Sequence, residues 1–419
     1  MQGSEASPRK YLEGHDLMAF AGAPAVYHCH HFNLFLDQTI DDALGEKEGI
    51  EVRFEAARAA AHDLIAGLCT RARAQTPAER MKIAQDTFAA MGHGRLRIEA
   101  NASGGHAHGE FLHYGFSWKE KYGDVIRRRH PADAVAAGFA CAATEIAYGL
   151  SKESMRSSES QCVAMREASC EIELQPGPPG RPRPPVLEGH IPSFVRPTFN
   201  GLHEEEIAAI AKGLRDFTAG VAGDDRGLVQ AFGVYVTMHL AAYYNRVSYD
   251  TVERIQIRSP GSLGVLEDLL RESGHVCVFN TCGGILRSPE WEGLVGKLSG
   301  SPREIVIGCL AIARSLGFGH WTLEAYQPNE RLVIRTPSSY ETAYYLARHG
   351  MAPRPNEYFL QGSGLAIAQL AHRVDWTTKP ELTPEFYQTL FHGELPWSVE
   401  QTKCIATGDP YSEVVVRHR

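Results

Sequence analysis

The stretch ESQCVAMREASCEIEL, Glu159 to Leu174, decides the fold, because a degraded copy of it, VEQTKCIATGDPYSEVVV, closes the chain at Val399 to Val416. In each copy a cysteine, Cys162 or Cys404, precedes a short turn and then an alternating strand. Eight residues further on, the first copy carries Cys170 and the second Ser412. Two copies point to an internal duplication in which only the first keeps a thiolate pair able to hold a metal.

Other landmarks recur in the same order. Met91 to Phe111 aligns with Leu316 to Arg335 at a constant offset of 225, pairing Gly92 with Gly317, Gly94 with Gly319, Glu99 with Glu324 and Ala100 with Ala325. Gly138 in a small-residue helix then pairs with Gly362 in FLQGSGLAIAQLAH. The expected fold class is α/β (α+β): two homologous domains, 15–175 and 198–419, each of helices plus a small antiparallel sheet, arranged as a pseudo-dimer. Between them, Gln175 to Pro197 holds eight prolines in 23 residues, which excludes helix and sheet and marks 176–197 as a linker. Residues 1–14 are polar and predicted to be loose. Ala25 to Leu44 reads as a helix or a strand leading into one; 52–72 and 78–91 read as helices, the latter ended by Gly92, and 95–118 as a hairpin.

Composition bounds the function. The chain has 419 residues, 43% hydrophobic and 22% charged, as expected for a globular protein of two or three domains. A net charge of −8 and no basic run longer than Arg127–Arg129 leave no footprint for nucleic acid. The longest apolar run, Ala134 to Leu150, is too short for a membrane span and is interrupted by Glu145. The N-terminus has no apolar core of a signal peptide, so the expected location is the cytoplasm. Nine cysteines, an odd number, argue for free thiols or ligands over a disulfide framework. No G-x-S-x-G, H-E-x-x-H or phosphate-binding loop occurs, and no nucleotide cofactor is expected.

With these landmarks each half resembles the 4-vinyl-reductase, or hydrocarbon-binding, domain family. The second half resembles it most clearly, through its hairpin, RTPSSYETAYYLARHG (Arg335 to Gly350), the helix around Gly362 and the Cys404 motif. The resemblance implies α/β modules that bind a small hydrophobic or aromatic molecule, domains that often pair, and thus a pseudo-dimer or homo-oligomer. Several members hold zinc through a glutamate and cysteines, the last two eight residues apart. On that pattern Cys162 and Cys170 carry over, and Glu153, nine residues before Cys162, stands where the glutamate falls. Asp133, five residues before Gly138, takes the place of the missing cysteine, as Glu357 does before Gly362.

A second metal reading comes from the residues alone. His28, His30 and His31 lie around Cys29, and His106, His108 and His113 lie on or beside the hairpin. Two of these with Glu99 or Glu110 would make an open zinc or iron site for a biosynthetic enzyme or oxygenase. The bland alternative is a set of buried histidines bonded to backbone. Ligand-binding candidates are Tyr27, Asn33, His239, Tyr244, Trp321 and Tyr326, aromatic and polar side chains that could line a cavity. The Cys277/Cys282 pair, with no second pair near it, reads as structural.

Overall fold

Ala23 to Cys29 runs as a strand that passes directly into a helix at His30, so the segment read as helix or strand is each in turn. The computed structural model describes residues 9–12, 14–123, 125–178, 200–221, 223–393 and 396–419. Residues 179–197 of the linker, and 1–8 and 13 of the N-terminal stretch, lie outside the described residues.

In chain order come strands β1 (Arg9–Tyr11), β2 (Met18–Phe20) and β3 (Ala23–Cys29), then helices α1 (His30–Leu44), α2 (Glu46–Ala72) and α3 (Pro77–Ala90). The hairpin β4 (Arg97–Asn101) and β5 (Gly104–Gly109) follows, then α4 (His113–Tyr122), α5 (Ala134–Tyr148) and the hairpin β6 (Met155–Gln161) and β7 (Cys170–Pro176). Next are α6 (Glu204–Ala219), β8 (Val229–Ala231), β9 (Val234–Leu240), α7 (Ala241–Arg258), α8 (Leu263–Cys277), the short α9 (Gly283–Leu286) and α10 (Pro289–Leu294), and α11 (Pro302–Ser315). The chain closes with β10 (Thr322–Gln327), β11 (Arg331–Thr336), α12 (Tyr340–His349), α13 (Tyr358–Arg373), α14 (Pro384–Phe391), β12 (Trp397–Lys403) and β13 (Ser412–His418). Among the described residues no helix is long and apolar enough to cross a membrane.

These elements form two compact units, each discontinuous in sequence. The histidine unit takes the described residues of His28–Glu188 and Val221–Leu266. The aromatic unit takes those of Met1–Tyr27, Gly189–Gly220 and Glu267–Arg419. The sequence-based boundaries, 15–175 and 198–419, followed linkers and composition, which carry no trace of a segment leaving one half for the other.

The fold class is mixed α and β with small antiparallel sheets. The histidine unit has the order β4-β5-β7-β6 and the aromatic unit β10-β11-β13-β12. Each sheet carries a register shift near the end of its outer strand, between Glu159 and Gln161 in β6 and between Gln401 and Lys403 in β12. A bulge of this kind re-aims the side chains beside it. Each unit also has a glycine of the repeat where one helix meets another closely, and in the aromatic unit Gly274 of α8 faces the same contact from the other side. A Cβ on Gly138 of α5 would lie 2.5 Å from the Phe54 carbonyl of α2, and one on Gly362 of α13 would lie 1.8 Å from the Arg271 carbonyl of α8. Glycine at these points lets the helix backbones approach one another.

Candidate metal centre and ligand cavity

Asp133 is the N-cap of α5, and its carboxylate turns away from that helix toward the start of α4. Its Oδ1 accepts from the Tyr114 backbone N–H at 3.2 Å and its Oδ2 from Gly115 N–H at 2.9 Å. Oδ2 also faces Cys170 Sγ at 3.2 Å and Cys162 Sγ at 3.8 Å, and the two sulfurs are 3.6 Å apart. Glu159, the last residue of β6 before its bulge, pairs with Ile172; its Oε2 accepts from Asp133 N–H at 3.0 Å while its Oε1 is out of solvent and without a hydrogen-bond partner. Asp133, Glu159, Cys162 and Cys170 thus place one donor atom each within 4.8 Å of one another. A Cβ on Gly115 would come within 2.5 Å of Asp133 Oδ2 and 3.1 Å of Cys170 Sγ, so only glycine lets the α4 backbone lie against the cluster.

The donors fit a metal on chemical grounds. Burial pushes the Asp133 carboxyl up to about 6 and holds Glu159 well above its usual range, and the hydrogen bond with Cys162, followed by burial, raises Cys170. The hydrogen bond from Cys170 lowers Cys162. Backbone N–H groups of Ala132 and Val163 point at Cys162 and Cys170 Sγ, both at 3.4 Å, an arrangement that favours thiolates. Four acidic groups packed out of water need a cation to ionise together, and two thiolates with two carboxylates satisfy zinc in four-coordination.

Sequence reading placed three of these four. Glu153 is not among them: its carboxylate lies 3.7 Å from the Arg58 guanidinium. Glu159 stood in the opening motif, three before Cys162, and strand alternation from the buried Met155 places it on the inward face of β6 opposite Ile172.

The histidines do not converge on a metal. Among the described residues the Asp133 group is the only set of three or more His, Cys, Asp or Glu side chains that meets. His28, on β3, stacks on Phe32 with centroids 3.7 Å apart. His30, at the start of α1, accepts from the Tyr235 backbone N–H at 3.2 Å, and His31 packs on His30. His113 Nε2 accepts from Asn33 Nδ2 at 3.0 Å. His106 sits half-exposed beside Glu99, and His108 lines an open cleft with Arg95 and Arg97. The strand-to-helix change at His30 separates His28 from His31, and the hairpin carries its two histidines to another face.

Of the ligand candidates, the structure joins Asn33, His239 and Tyr244 in the histidine unit. Asn33 also donates to Thr237 Oγ1 at 2.9 Å and accepts from Tyr244 OH at 2.6 Å, so its amide is fully used. His239 Nε2 shares a 3.0 Å hydrogen bond with Tyr114 OH. Tyr27, Trp321 and Tyr326 belong to the aromatic unit, where Tyr27 accepts from Arg9, Trp321 packs near Phe359 and Tyr326 meets His372.

Beside His239 lies a cavity of about 30 Å³, walled by Ala57 and Leu64 of α2, Val135 and Phe139 of α5, and Phe88 and Met91. Its polar edge is His239, Tyr243 and His93. His93, missed in the sequence, lies between Gly92 and Gly94, both at positive φ, in the MGHG landmark. Its Nε2 faces the Met238 carbonyl at 3.1 Å, whereas its Nδ1 is buried without a partner. Burial holds His93 down to about 4 and His239 well below the usual histidine range, so both are neutral.

No protein-family model and no curated protein matches the chain. Solved structures do, among them the crystal structure of the phenol-responsive sensory domain of the transcription activator PoxR with phenol. That match has 17% identity and a TM-score of 0.32, over 40% of this chain and 85% of that chain. At this score the likeness carries no weight for fold or function.

Proposed function

We propose that the histidine unit binds a small, uncharged, largely apolar molecule, of aromatic size and carrying one hydroxyl, in the α2–α5 cavity. The observation that carries this is the cavity wall: nine apolar residues edged by neutral histidines, with the buried His93 Nδ1 free to accept from a ligand hydroxyl. A cavity of about 30 Å³ holds one or two waters, so a ring enters only as α2 and α5 give way. A single zinc ion on Asp133, Glu159, Cys162 and Cys170 would hold the unit's closing hairpin. Four protein donors leave no open position, which makes that ion structural and speaks against a metal-dependent enzyme. The resemblance to tandem 4-vinyl-reductase domains is supported by the matched sheet orders and matched glycines.

The test is titration of the tag-free full-length protein with phenol, the smallest aromatic bearing one hydroxyl, alongside metal analysis. Phenol should bind, and Leu64→Trp, which fills the cavity, should abolish binding with the fold intact. Zinc at one per chain should vanish in Cys162→Ser. Binding of phenol that is indifferent to Leu64→Trp removes the cavity from the proposal.

A further inference from the structure

Three consecutive residues at the start of α4 touch everything that matters in the histidine unit. His113 accepts from Asn33, Tyr114 OH meets His239 at the cavity edge, and Gly115 lies against the Asp133, Cys162 and Cys170 donors. The backbone N–H groups of Tyr114 and Gly115 both bond the Asp133 carboxylate. Asp133 also starts α5, two turns of which supply Val135 and Phe139 to the cavity wall. Any ion on Asp133 therefore fixes both the tyrosine that holds His239 and the helix that walls the cavity.

We infer that the four-donor centre and the cavity are energetically coupled through Tyr114 and Asp133, so that zinc raises the affinity of the cavity for its ligand. This rests on the binding reading above and adds its regulation. The sign follows from ordering. A ring must widen the small cavity, and a wall whose two anchors are already fixed by the ion loses less freedom when the ligand seats. Reciprocity then requires the ligand to tighten zinc by the same factor. Tyr114 is a positioning residue here: it touches neither zinc nor the ligand pocket directly and acts through His239.

The experiment uses full-length protein. Phenol affinity is measured in the zinc-loaded and chelator-stripped states, and the equilibrium of zinc with a competing chelator is measured with and without phenol. Zinc should tighten phenol by roughly 5-fold or more, the scale of ordinary coupling between sites, and phenol should tighten zinc equally. Tyr114→Phe, which removes only the hydroxyl on His239, should leave zinc affinity in the absence of phenol unchanged and bring the mutual effect down toward onefold. If the stripped protein unfolds, the chelator measurement on loaded protein still reads the coupling. Phenol and zinc that bind without affecting each other overturn the inference and leave the binding reading standing, as does coupling undiminished in Tyr114→Phe. No phenol binding in the loaded protein overturns the binding reading and this inference with it.

Discussion

The two units solve the same turn differently. In the histidine unit, Cys162 enters the turn between β6 and β7 at φ −149° and ψ 138°; in the aromatic unit, Cys404 enters the turn between β12 and β13 at φ −144° and ψ 128°. Val163 N–H reaches Cys170 Sγ in one, and Ile405 N–H reaches Ser412 Oγ at 3.0 Å in the other. Glu159 accepts from Asp133 N–H, and Gln401 accepts from Glu357 N–H at 3.2 Å while donating to Glu357 Oε2 at 2.7 Å. The aromatic unit thus keeps the backbone N–H contact across the turn and replaces Glu159 and Cys170 with the neutral Gln401 and Ser412, while Glu357 and Cys404 stay in place of Asp133 and Cys162. The contrast extends to the cavity. His93 has Phe318 as its counterpart in sequence, and Phe318 packs against Phe359, Tyr340 and Trp321, with the Phe359 ring at 4.9 Å. Hydrogen bonds and aromatic packing hold the turn and its surroundings in the aromatic unit, where the histidine unit gathers thiols, carboxyls and neutral histidines instead.

The largest effect that could break this contrast is metal loss. Cys170→Ser should release the ion and lower the melting temperature of the histidine unit by ten degrees or more, since a structural zinc supplies on the order of 10 kcal/mol of binding free energy that couples to folding. The reverse graft sharpens it. Ser412→Cys together with Gln401→Glu should raise bound zinc from one to two per chain, because Cys404 and Glu357 already stand in place. A stoichiometry that stays at one would show that the backbone similarity does not extend to ligand geometry. Next come the close helix contacts. Gly138→Ala and Gly362→Ala drive a Cβ into a backbone carbonyl and should cost about 1–3 kcal/mol or more, the latter more because its approach is tighter. Chemical denaturation read by unit-specific proteolysis would order them; equal costs would deny the difference in helix spacing.

Acid should separate the units with a smaller, graded effect. Burial holds His30 and His93 down to about 4, and His28, His31, His113 and His239 well below the usual value of 6.5. An unfolded chain binds those protons below pH 6.5 and the folded unit does not. Stability is therefore complete above 6.5 and falls as pH drops toward 4, by on the order of 3 kcal/mol for His93 alone. Asp37, raised by burial to about 7, opposes this within the same unit, as do Asp133 and Glu159 where no ion holds them, three carboxyls against six histidines. In the aromatic unit, burial lowers His275 and His372 but raises Glu341 and Glu357, so the opposing contributions leave a flatter profile. Proteolysis peptides from α5 should appear at higher pH than peptides from α13. Simultaneous loss would mean that the histidines are not what sets the acid limit.

Much of this was legible in the sequence because it depends on local chemistry. The repeat of the Cys162 motif, the glycine helices and the hairpins each carry a signal within a dozen residues, and three of the four side chains that meet at Asp133 came with them. What was hidden depends on geometry with no local mark. Where β6 begins decides between Glu153, in the turn before it, and Glu159, on its inward face; a strand-to-helix switch at His30 scatters a histidine cluster that looks coherent in one dimension, and the passage of residues 221–266 into the histidine unit brings His239 to Tyr114. His93 was in plain view between two landmark glycines, and its burial, which the sequence does not display, is what gives it a role.

The smallest expected effect is also the sharpest control. Cys404 is fully buried, its sulfur lies 3.8 Å from Asn356 Oδ1, and burial drives its thiol far up from the usual range. A thiol kept protonated in such surroundings behaves as a small apolar side chain. Cys404→Ser removes some apolar contact and adds a hydroxyl that can donate to Asn356, so the net change should be about 1 kcal/mol or less, with bound zinc unchanged. Cys162→Ser makes the same atomic change at the matching turn and should cost the ion and several times the stability. Equal outcomes for the two substitutions would mean that Asp133, Glu159 and Cys170 add nothing to Cys162, and the contrast between the units would fail at the residue where it begins.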